Sequence, residues 1–172
     1  GGIYSPDVVV FRASETDGYE YLETPQFISF VAVSAYVRPT LVFRDKKKKV
    51  FHMTEKFAEK TKEKIRTILR ISIHNHHDSI VISAFGCGAF MCPPDHISIL
   101  FDQVLFEEEE FIGAFKHVSY AIIDDGNSRK SHNPNGNYAP FQTVCKKRQA
   151  ILEMKQKEEA SDSQDTMCDL EE

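Results

Sequence analysis

The chain has 172 residues, of which 41% are hydrophobic and 27% are charged, and its formal net charge is −5. This composition is typical of a globular protein with one domain and enough chain to bury a core. A mildly acidic chain is not expected to grip nucleic acid through a broad basic surface, so no direct sequence-specific nucleic-acid partner is predicted. No apolar run approaches the roughly 18 residues that span a bilayer, and no signal peptide is evident at the start, so no membrane partner is predicted.

Apolar periodicity predicts six elements of secondary structure. In chain order they are a short strand at 8–11, a strand at 27–34, a helix at 54–74, a strand at 79–85, a helix at 94–106 and a strand at 117–124. Thr54 suits the N-cap of the first helix, and Pro94 suits the first turn of the second. Strands that alternate with helices imply crossover connections and a mainly parallel sheet in an α/β fold. Continuous apolar strands are typical of sheets covered on both faces.

The rest of the chain is more polar. The basic run at 46–49 has no interleaved aromatic residues and is interpreted as a solvated loop. Residues 125–140, rich in Gly, Asn, Ser and Pro, predict a long loop, and residues 143–159 a charged helix. Residues 161–172 have too little apolar surface to form a core and predict a disordered acidic tail.

The cysteines indicate a reducing environment. They fall at none of the spacings of a structural zinc site, so reduced thiols and a cytoplasmic or nuclear location are expected. The four are Cys87, Cys92, Cys145 and Cys168.

The strongest candidate for a ligand site follows the strand at 79–85. Gly86 and Gly88 are one residue apart, which lets the backbone turn sharply and bring N–H groups close to a ligand. The helix that begins at Pro94 presents partial positive charge at its N-terminus, where an anion is favoured. Ligands of open α/β sheets bind at this position, beyond the carboxyl end of a strand. A tight strand-to-helix turn without a ligand fits the same residues equally well.

Two common nucleotide-binding patterns do not fit this loop. A dinucleotide fingerprint requires glycine where Met91 stands, and a P-loop requires Gly-Lys followed by Ser or Thr, which occurs nowhere in the chain. A phosphate held here would therefore contact backbone N–H groups without a lysine, metal or other cofactor, which suits diphosphate binding better than phosphoryl transfer. Cys87 lies near helix N–H groups that can lower a thiol pKa, but no partner residue for a nucleophile is identifiable.

Three other polar groups are candidate sites. His74, His76 and His77 lie at a helix end without the carboxylates or cysteines of a metal site, so capping or surface roles are favoured and no metal is predicted. The acidic run at 107–110 is interpreted as a solvated face rather than a metal site or a site for a basic partner. The aspartates at 124–125 fit either a ligand crevice or the start of a turn.

Several motifs occur together in a fixed order. They are Tyr-Ser-Pro-Asp at 4–7, Ala-Phe-Gly-Cys-Gly-Ala-Phe at 84–90 with the prolines at 93–94, and Tyr-Ala-Ile-Ile-Asp at 120–124. In this combination the chain resembles the microbial-type poly(ADP-ribose) glycohydrolase family, a branch of the macrodomain superfamily. Segments at 64–66, 111–115 and 133–141 also resemble its eukaryotic members.

The resemblance implies a three-layer α/β/α macrodomain at 1–144, N-terminally incomplete, followed by a charged helix at 145–160 and the disordered tail at 161–172. It implies ADP-ribose or poly(ADP-ribose) as ligand, with ADP-ribosylated proteins as further partners. The family's loop after the last strand lies near the adenosine end, which implicates Asp124 and Asn127. The family's diphosphate loop corresponds here to Gly86, Cys87, Gly88, Ala89 and Phe90, with Phe90 near the distal ribose.

One departure from the family is severe. Its catalytic element, a glycine-rich loop followed by paired glutamates, precedes the Tyr-Ser-Pro-Asp motif, but only Gly1 and Gly2 precede Ile3 here. The general acid for the glycosidic bond is therefore expected to be absent, and no catalytic residue is assigned. Three hypotheses stay open: part of a poly(ADP-ribose) glycohydrolase, a non-catalytic module that binds ADP-ribose or another nucleotide diphosphate, and an inactive fragment.

Overall fold

A computed structural model describes the backbone of residues 1–124 and 126–168, and the side chains of residues 1–124 and 126–154. Two antiparallel hairpins come first, and a parallel pair of strands follows after a helix. The strands are β1 (Ile3–Arg12) with β2 (Tyr21–Ala32), β3 (Leu41–Asp45) with β4 (Val50–Met53), and β5 (Ser79–Ser83) with β6 (His117–Ala121). The helices are α1 (Glu55–His74), α2 (Pro94–Glu107) and α3 (Tyr138–Cys168).

The core lies where α1 and α2 pack against β4 and β5. On α1, apolar residues at intervals of three or four turn one face inward, and Ile65 and Leu69 are fully buried. The apolar face of α2 is buried in the same way and includes Ile97, Leu100, Phe101 and Val104. Both predicted helices are confirmed within one residue, although the side chain of Thr54 makes no capping hydrogen bond. The two helices and the core thus fix the position of the segment between β5 and α2.

The predicted α/β class is confirmed, but fewer strands pair in parallel than expected. Among the described strands only β5 and β6 pair in parallel, with α2 in the connection between them. The segment 13–20 joins β1 to β2, and the segment 46–49 joins β3 to β4. Both are too short for a crossover connection, which needs a dozen or more residues. The basic run at 46–49 is the exposed turn of the β3–β4 hairpin, where Asp45 Oδ1 accepts hydrogen bonds from Lys47 N and Lys48 N.

Apolar side chains of the β1–β2 hairpin remain largely in solvent. Tyr21 is 71% exposed and Phe27 is 68% exposed. In β5, Ile82 packs into the core, whereas Val81 on the opposite face is 71% exposed, so the described residues cover this strand on one face and not on both. The arrangement in three layers stays a prediction. The apolar exposure seen on the β1–β2 hairpin and on β5 is uncommon on a monomeric domain.

The last helix differs in its bounds from the predicted charged helix. It begins at Tyr138, five positions before the predicted start, and runs to Cys168, through most of the segment predicted as a disordered tail. Residues 169–172 lie outside the described residues, and the proposed division of the chain at 144 and 160 stays a prediction. None of the described helices is both long and apolar enough to cross a membrane.

Candidate ligand-binding loop

The first half of the loop between β5 and α2 is built into the core. Gly86 has a φ of +74°, and a Cβ added there would lie 2.6 Å from the Cβ of Ala35 and 2.9 Å from the Sγ of Cys92. The Gly86 carbonyl also accepts a hydrogen bond from Cys92 N at 3.0 Å. Glycine is therefore required at this position by the backbone conformation and by the space available, with or without a ligand.

The second half of the loop is open. In the part of the chain that the structure describes, the backbone N–H groups of Gly88, Ala89 and Phe90 donate to no protein acceptor. Ala89 and Phe90 are exposed, and a Cβ added at Gly88 would meet nothing closer than Asn127 Nδ2, at 3.7 Å. Successive unpaired N–H groups in a turn form a concavity that favours an anion. Because α2 begins at Pro94, its positive end lies a few residues beyond them.

The thiol in this loop is not activated. Cys87 is fully buried, and burial raises the pKa of its thiol well above the ordinary value. Cys92 is also buried, its pKa is raised to about 11, and its Sγ donates to Tyr36 O at 3.3 Å. A thiol with a raised pKa stays protonated near neutral pH and is a poor nucleophile. The structure thus argues against Cys87 as a nucleophile.

A histidine supports the loop from the interior. The Nε2 of His132 lies 2.9 Å from the carbonyl oxygen of Cys87, and the side chain is 2% exposed. With Nε2 donating to this carbonyl, Nδ1 carries the lone pair. That Nδ1 is buried and has no hydrogen-bond partner among the described residues. No pattern in the sequence singles out His132, because it lies 45 positions from the residue it contacts.

The asparagine-rich segment after β6 holds His132 in place. Asn133 is fully buried, and its Nδ2 donates to Asn127 O at 3.1 Å and to Asn137 Oδ1 at 2.8 Å. Its Oδ1 accepts from Lys130 N at 2.8 Å. These hydrogen bonds satisfy the buried amide and turn the segment 126–137 into an ordered support beneath the loop. The sequence predicted a loop here and gave no sign of its buried side chains.

Asp124 anchors this segment to α3. Its Oδ1 accepts hydrogen bonds from Asn137 N at 2.6 Å and from Tyr138 N, at the first residue of α3, at 2.9 Å. The hydrogen bond from Tyr138 is the largest cause that lowers the pKa of this carboxyl below its usual value. Asp124 therefore connects the end of β6 to the start of α3, and its Oδ2 accepts no hydrogen bond from the described residues. Its two predicted roles, in a ligand crevice or at the start of a turn, stay predictions. Position 125 lies outside the described residues.

Asn127 lies beside the open half of the loop. Its Nδ2 faces the Gly88 backbone, and its Oδ1 accepts a hydrogen bond from Lys130 Nζ at 3.0 Å. The structure therefore places Asn127 and the glycine loop next to each other, with Asp124 three positions earlier on the same segment. Their roles toward a ligand stay predictions.

A pocket of about 240 Å³ lies beside the loop. Arg38 N donates to Phe90 O at 2.7 Å and so joins the pocket to the end of the loop. The pocket has four apolar and three polar lining residues. It is lined by Arg38, Pro39, Leu41, Phe51, Met91, Ser131 and His132.

The histidines at the end of α1 and the acidic run at 107–110, the other candidate sites, contact residues elsewhere in the chain. His77 Nε2 lies 2.8 Å from Tyr4 Oη, and no group of three metal-binding side chains occurs in the described part of the chain. The acidic run at 107–110 is more than a solvated face. Three of its glutamates form ion pairs, Glu108 with Arg66 at 2.8 Å, Glu110 with Arg70 at 2.6 Å and Glu107 with Arg148 at 3.4 Å.

Comparisons with known proteins identify the fold. No protein-family model and no curated protein matches the sequence. Among solved structures, poly(ADP-ribose) glycohydrolase from Thermomonospora curvata is 27% identical with a TM-score of 0.64, covering 83% of this chain and 46% of that one. The same enzyme bound to the inhibitor ADP-HPD is 26% identical with a TM-score of 0.62, covering 83% and 48%. Poly(ADP-ribose) glycohydrolase from Deinococcus radiodurans in complex with ADP-ribose is 23% identical with a TM-score of 0.64, covering 85% and 52%.

The chain spans about half the length of each of these bacterial structures. The similarity nevertheless extends over more than four fifths of the chain. The chain is therefore similar to the microbial-type poly(ADP-ribose) glycohydrolases, as its motifs predicted, and shares their macrodomain-like α/β fold.

Proposed function

We propose that this chain binds ADP-ribose, free or as part of poly(ADP-ribose) or an ADP-ribosylated protein, with the diphosphate held by the loop 86–90. The observation that carries the proposal is the row of unpaired backbone N–H groups at Gly88, Ala89 and Phe90. Three adjacent donors suit the oxygens of a diphosphate, and the positive end of α2 adds to the attraction. The similar enzyme from Deinococcus radiodurans was solved with ADP-ribose bound.

The two ends of the ligand extend to opposite sides of the loop. Asn127 lies against Gly88, so the adenosine end is assigned to the side of Asn127 and Asp124. Asp124 Oδ2 is available to accept a hydrogen bond from a ribose hydroxyl or an adenine amine. The distal ribose is assigned to the exposed ring of Phe90 at the other end of the loop.

Binding without hydrolysis is the proposed activity of these 172 residues. Cleavage of a glycosidic bond requires a carboxylic acid that is protonated near neutral pH, hence one with a raised pKa. Asp124, the described carboxylate of the proposed site, has a lowered pKa. The 172 residues also contain no Gln-Glu-Glu run.

Calorimetry with ADP-ribose, ADP and AMP tests the proposal. We expect heat with ADP-ribose, less with ADP, and least with AMP, which lacks the second phosphate. Equal affinity for ADP-ribose and ADP would favour a general module for nucleotide diphosphates. No heat with any of the three at about millimolar concentration, the weakest range of specific binding, would identify an inactive fragment.

Variants of Gly88 test the role of the loop. Gly88→Val places a branched side chain over the unpaired N–H groups, and we expect it to abolish binding while the fold is kept, because the site has room for a Cβ. Gly18→Ala is the matched control. Gly18 has a φ of +68° and lies far from the loop in the sequence, so its replacement is expected to destabilise the fold by about 1 kcal/mol without weakening binding. Unchanged affinity in Gly88→Val would overturn the loop assignment.

A further inference from the structure

The peptide bond between Cys87 and Gly88 carries the first of the three unpaired N–H groups of the loop. Its carbonyl oxygen belongs to Cys87, which is fully buried, and lies 2.9 Å from the Nε2 of His132, whose side chain is 2% exposed. The peptide is planar and trans, so its carbonyl and its N–H point in opposite directions. Because the carbonyl points toward His132 in the interior, the N–H of Gly88 points outward, to the open side of the loop.

The next peptide of the loop is held by a different kind of group. The carbonyl of Gly88 accepts a hydrogen bond from Met91 N at 3.0 Å, which directs the N–H of Ala89. That donor is a backbone group and is present whatever the side chain. Among the described residues, the carbonyl of Cys87 accepts no backbone hydrogen bond, and its donor is the side chain of His132. The direction of the Gly88 N–H thus depends on one side chain.

Glycine at position 88 leaves a second direction of this N–H sterically open. Reversal of the peptide rotates ψ of Cys87 and φ of Gly88 by about 180° each. Gly88, unlike Gly86, does not have a positive φ in the structure, so the reversed peptide would give it one. Glycine adopts both signs of φ about equally readily. The reversed peptide would present a carbonyl oxygen to the ligand in place of a donor, and a phosphate would be repelled.

From these observations we propose that His132 is a positioning residue. Through the carbonyl of Cys87 it holds the N–H of Gly88 toward the ligand, and it thereby sets the affinity of the loop 86–90 for a diphosphate. The inference rests on the proposed function, in which this N–H contacts the diphosphate. Because a carbonyl oxygen can only accept, the role requires a side chain that donates at the position of Nε2.

A double-mutant cycle at positions 88 and 132 tests this role by calorimetry with ADP-ribose. His132→Leu removes the donor at similar volume, whereas His132→Gln keeps an N–H donor. Gly88→Ala disfavours a positive φ, and its Cβ has room, since Asn127 Nδ2 is the nearest atom at 3.7 Å. His77→Leu is the matched control, because it removes a contact of 2.8 Å with Tyr4 Oη at the opposite end of β5 from the loop.

We expect His132→Leu to weaken the binding of ADP-ribose by at least about tenfold, the value of one hydrogen bond to a charged group. His132→Gln and His77→Leu should bind within about threefold of the unmodified chain. Adding Gly88→Ala to His132→Leu should restore most of the affinity, measured against Gly88→Ala alone, because the reversed peptide would then require a positive φ at an alanine.

The direction of the N–H is measured without ligand, from the residual dipolar coupling of the Gly88 amide in isotopically labelled protein. This coupling should change in His132→Leu and be restored by Gly88→Ala, whereas the couplings of α1 and α2 stay the same. Unchanged binding in His132→Leu would overturn the inference alone. A loss of binding without a change of the coupling, or one that Gly88→Ala does not relieve, would also overturn it, since His132 would then be structural only. Absence of ADP-ribose binding by the unmodified chain would overturn the proposed function as well.

Discussion

The two halves of the glycine loop differ in what they contact. Gly86 lies against Ala35 and Cys92, and the next residue, Cys87, is fully buried. Gly88 has only Asn127 near the position of a Cβ, and Ala89 beyond it is exposed. One glycine is thus required by the fold, whereas the other is available for a ligand. A Gly-x-Gly pattern alone does not reveal this difference, since both glycines look alike in the sequence.

The largest expected effect of a substitution is that of Gly86→Ala. A Cβ at 2.6 Å from another Cβ, added to a residue with positive φ, combines overpacking with backbone strain. We expect a loss of about 3 kcal/mol or more in the free energy of unfolding. Urea denaturation followed by circular dichroism measures it. Gly88→Ala is the matched comparison and should change the unfolding free energy by less than about 1 kcal/mol. Equal losses in the two variants would remove the distinction between the halves.

The free energy of unfolding is expected to depend on pH through a buried histidine in the first turn of α2. His96 Nδ1 accepts a hydrogen bond from Met53 N at 2.9 Å, and the ring stacks on His52 with centroids 4.1 Å apart. Burial, His52 and Lys62 lower the pKa of His96 to about 4, from 6.5 when unfolded. Between these values the unfolded chain binds more protons. The contribution of His96 to the free energy of unfolding is therefore fully present above pH 6.5. It decreases as the pH falls toward 4, by about 3 kcal/mol at most.

Unfolding free energies measured at pH 7.5, 6 and 4.5 would show this loss. His52 adds to it in the same direction, because burial also lowers its pKa. His96→Asn keeps an acceptor near Met53 N but cannot be protonated, so its stability should vary less over this range. If the unmodified chain were equally stable at all three values, the stacked pair would not be buried in solution.

Asn133 tests the support beneath the loop. Asn133→Ala would remove hydrogen bonds to Lys130 N, Asn127 O and Asn137 Oδ1 and leave buried partners unpaired. We expect a loss of about 2 kcal/mol of stability, together with weaker binding of ADP-ribose, because Asn127 loses its support. Denaturation and calorimetry measure the two effects. Loss of stability with unchanged binding would show that the open half of the loop is independent of the segment beneath it.

Asp124 has the smallest expected effect. Asp124→Ala removes the acceptor for Asn137 N and Tyr138 N at the start of α3, and should cost about 1 kcal/mol. Asp124→Asn retains an oxygen at the cap and should lose about half of that, since only the charge is removed. Denaturation midpoints distinguish these variants from each other. If Asp124→Asn were as unstable as Asp124→Ala, the charge rather than the hydrogen bonds would stabilise this end of the helix.

The sequence predicted α1, α2 and the parallel strands well because their signals are local. Apolar residues three and four apart place α1 and α2 to within one residue. The predicted start of β2 at 27 was too late, because the strand begins at Tyr21. The first residues were missed because they include Pro25, which lies where the register of the β1–β2 hairpin shifts, and proline is a poor strand signal. The β3–β4 hairpin was missed because its strands are short and its turn is a run of lysines without the usual glycine or asparagine.

The candidate site was predictable only in part. The loop could be located because it follows a strongly apolar strand and contains two glycines, and the family motifs add a ligand. The contact between His132 and Cys87 joins residues 45 positions apart, and the pocket brings Arg38 beside Met91. Such contacts depend on the packing of the whole chain, and no periodicity or spacing in the sequence encodes them.

The exposed apolar hairpin also has a practical consequence. Fluorescent dyes that brighten on apolar surfaces are expected to bind the folded chain through β1 and β2, so a dye-based melting curve would start from a high baseline. The sequence has no tryptophan and six tyrosines, which leaves little intrinsic fluorescence as an alternative. Far-ultraviolet circular dichroism of the three helices is therefore the signal best suited to follow unfolding. The side chains responsible for the dye baseline are Ile3, Val9, Phe11, Tyr21, Phe27, Ile28 and Phe30.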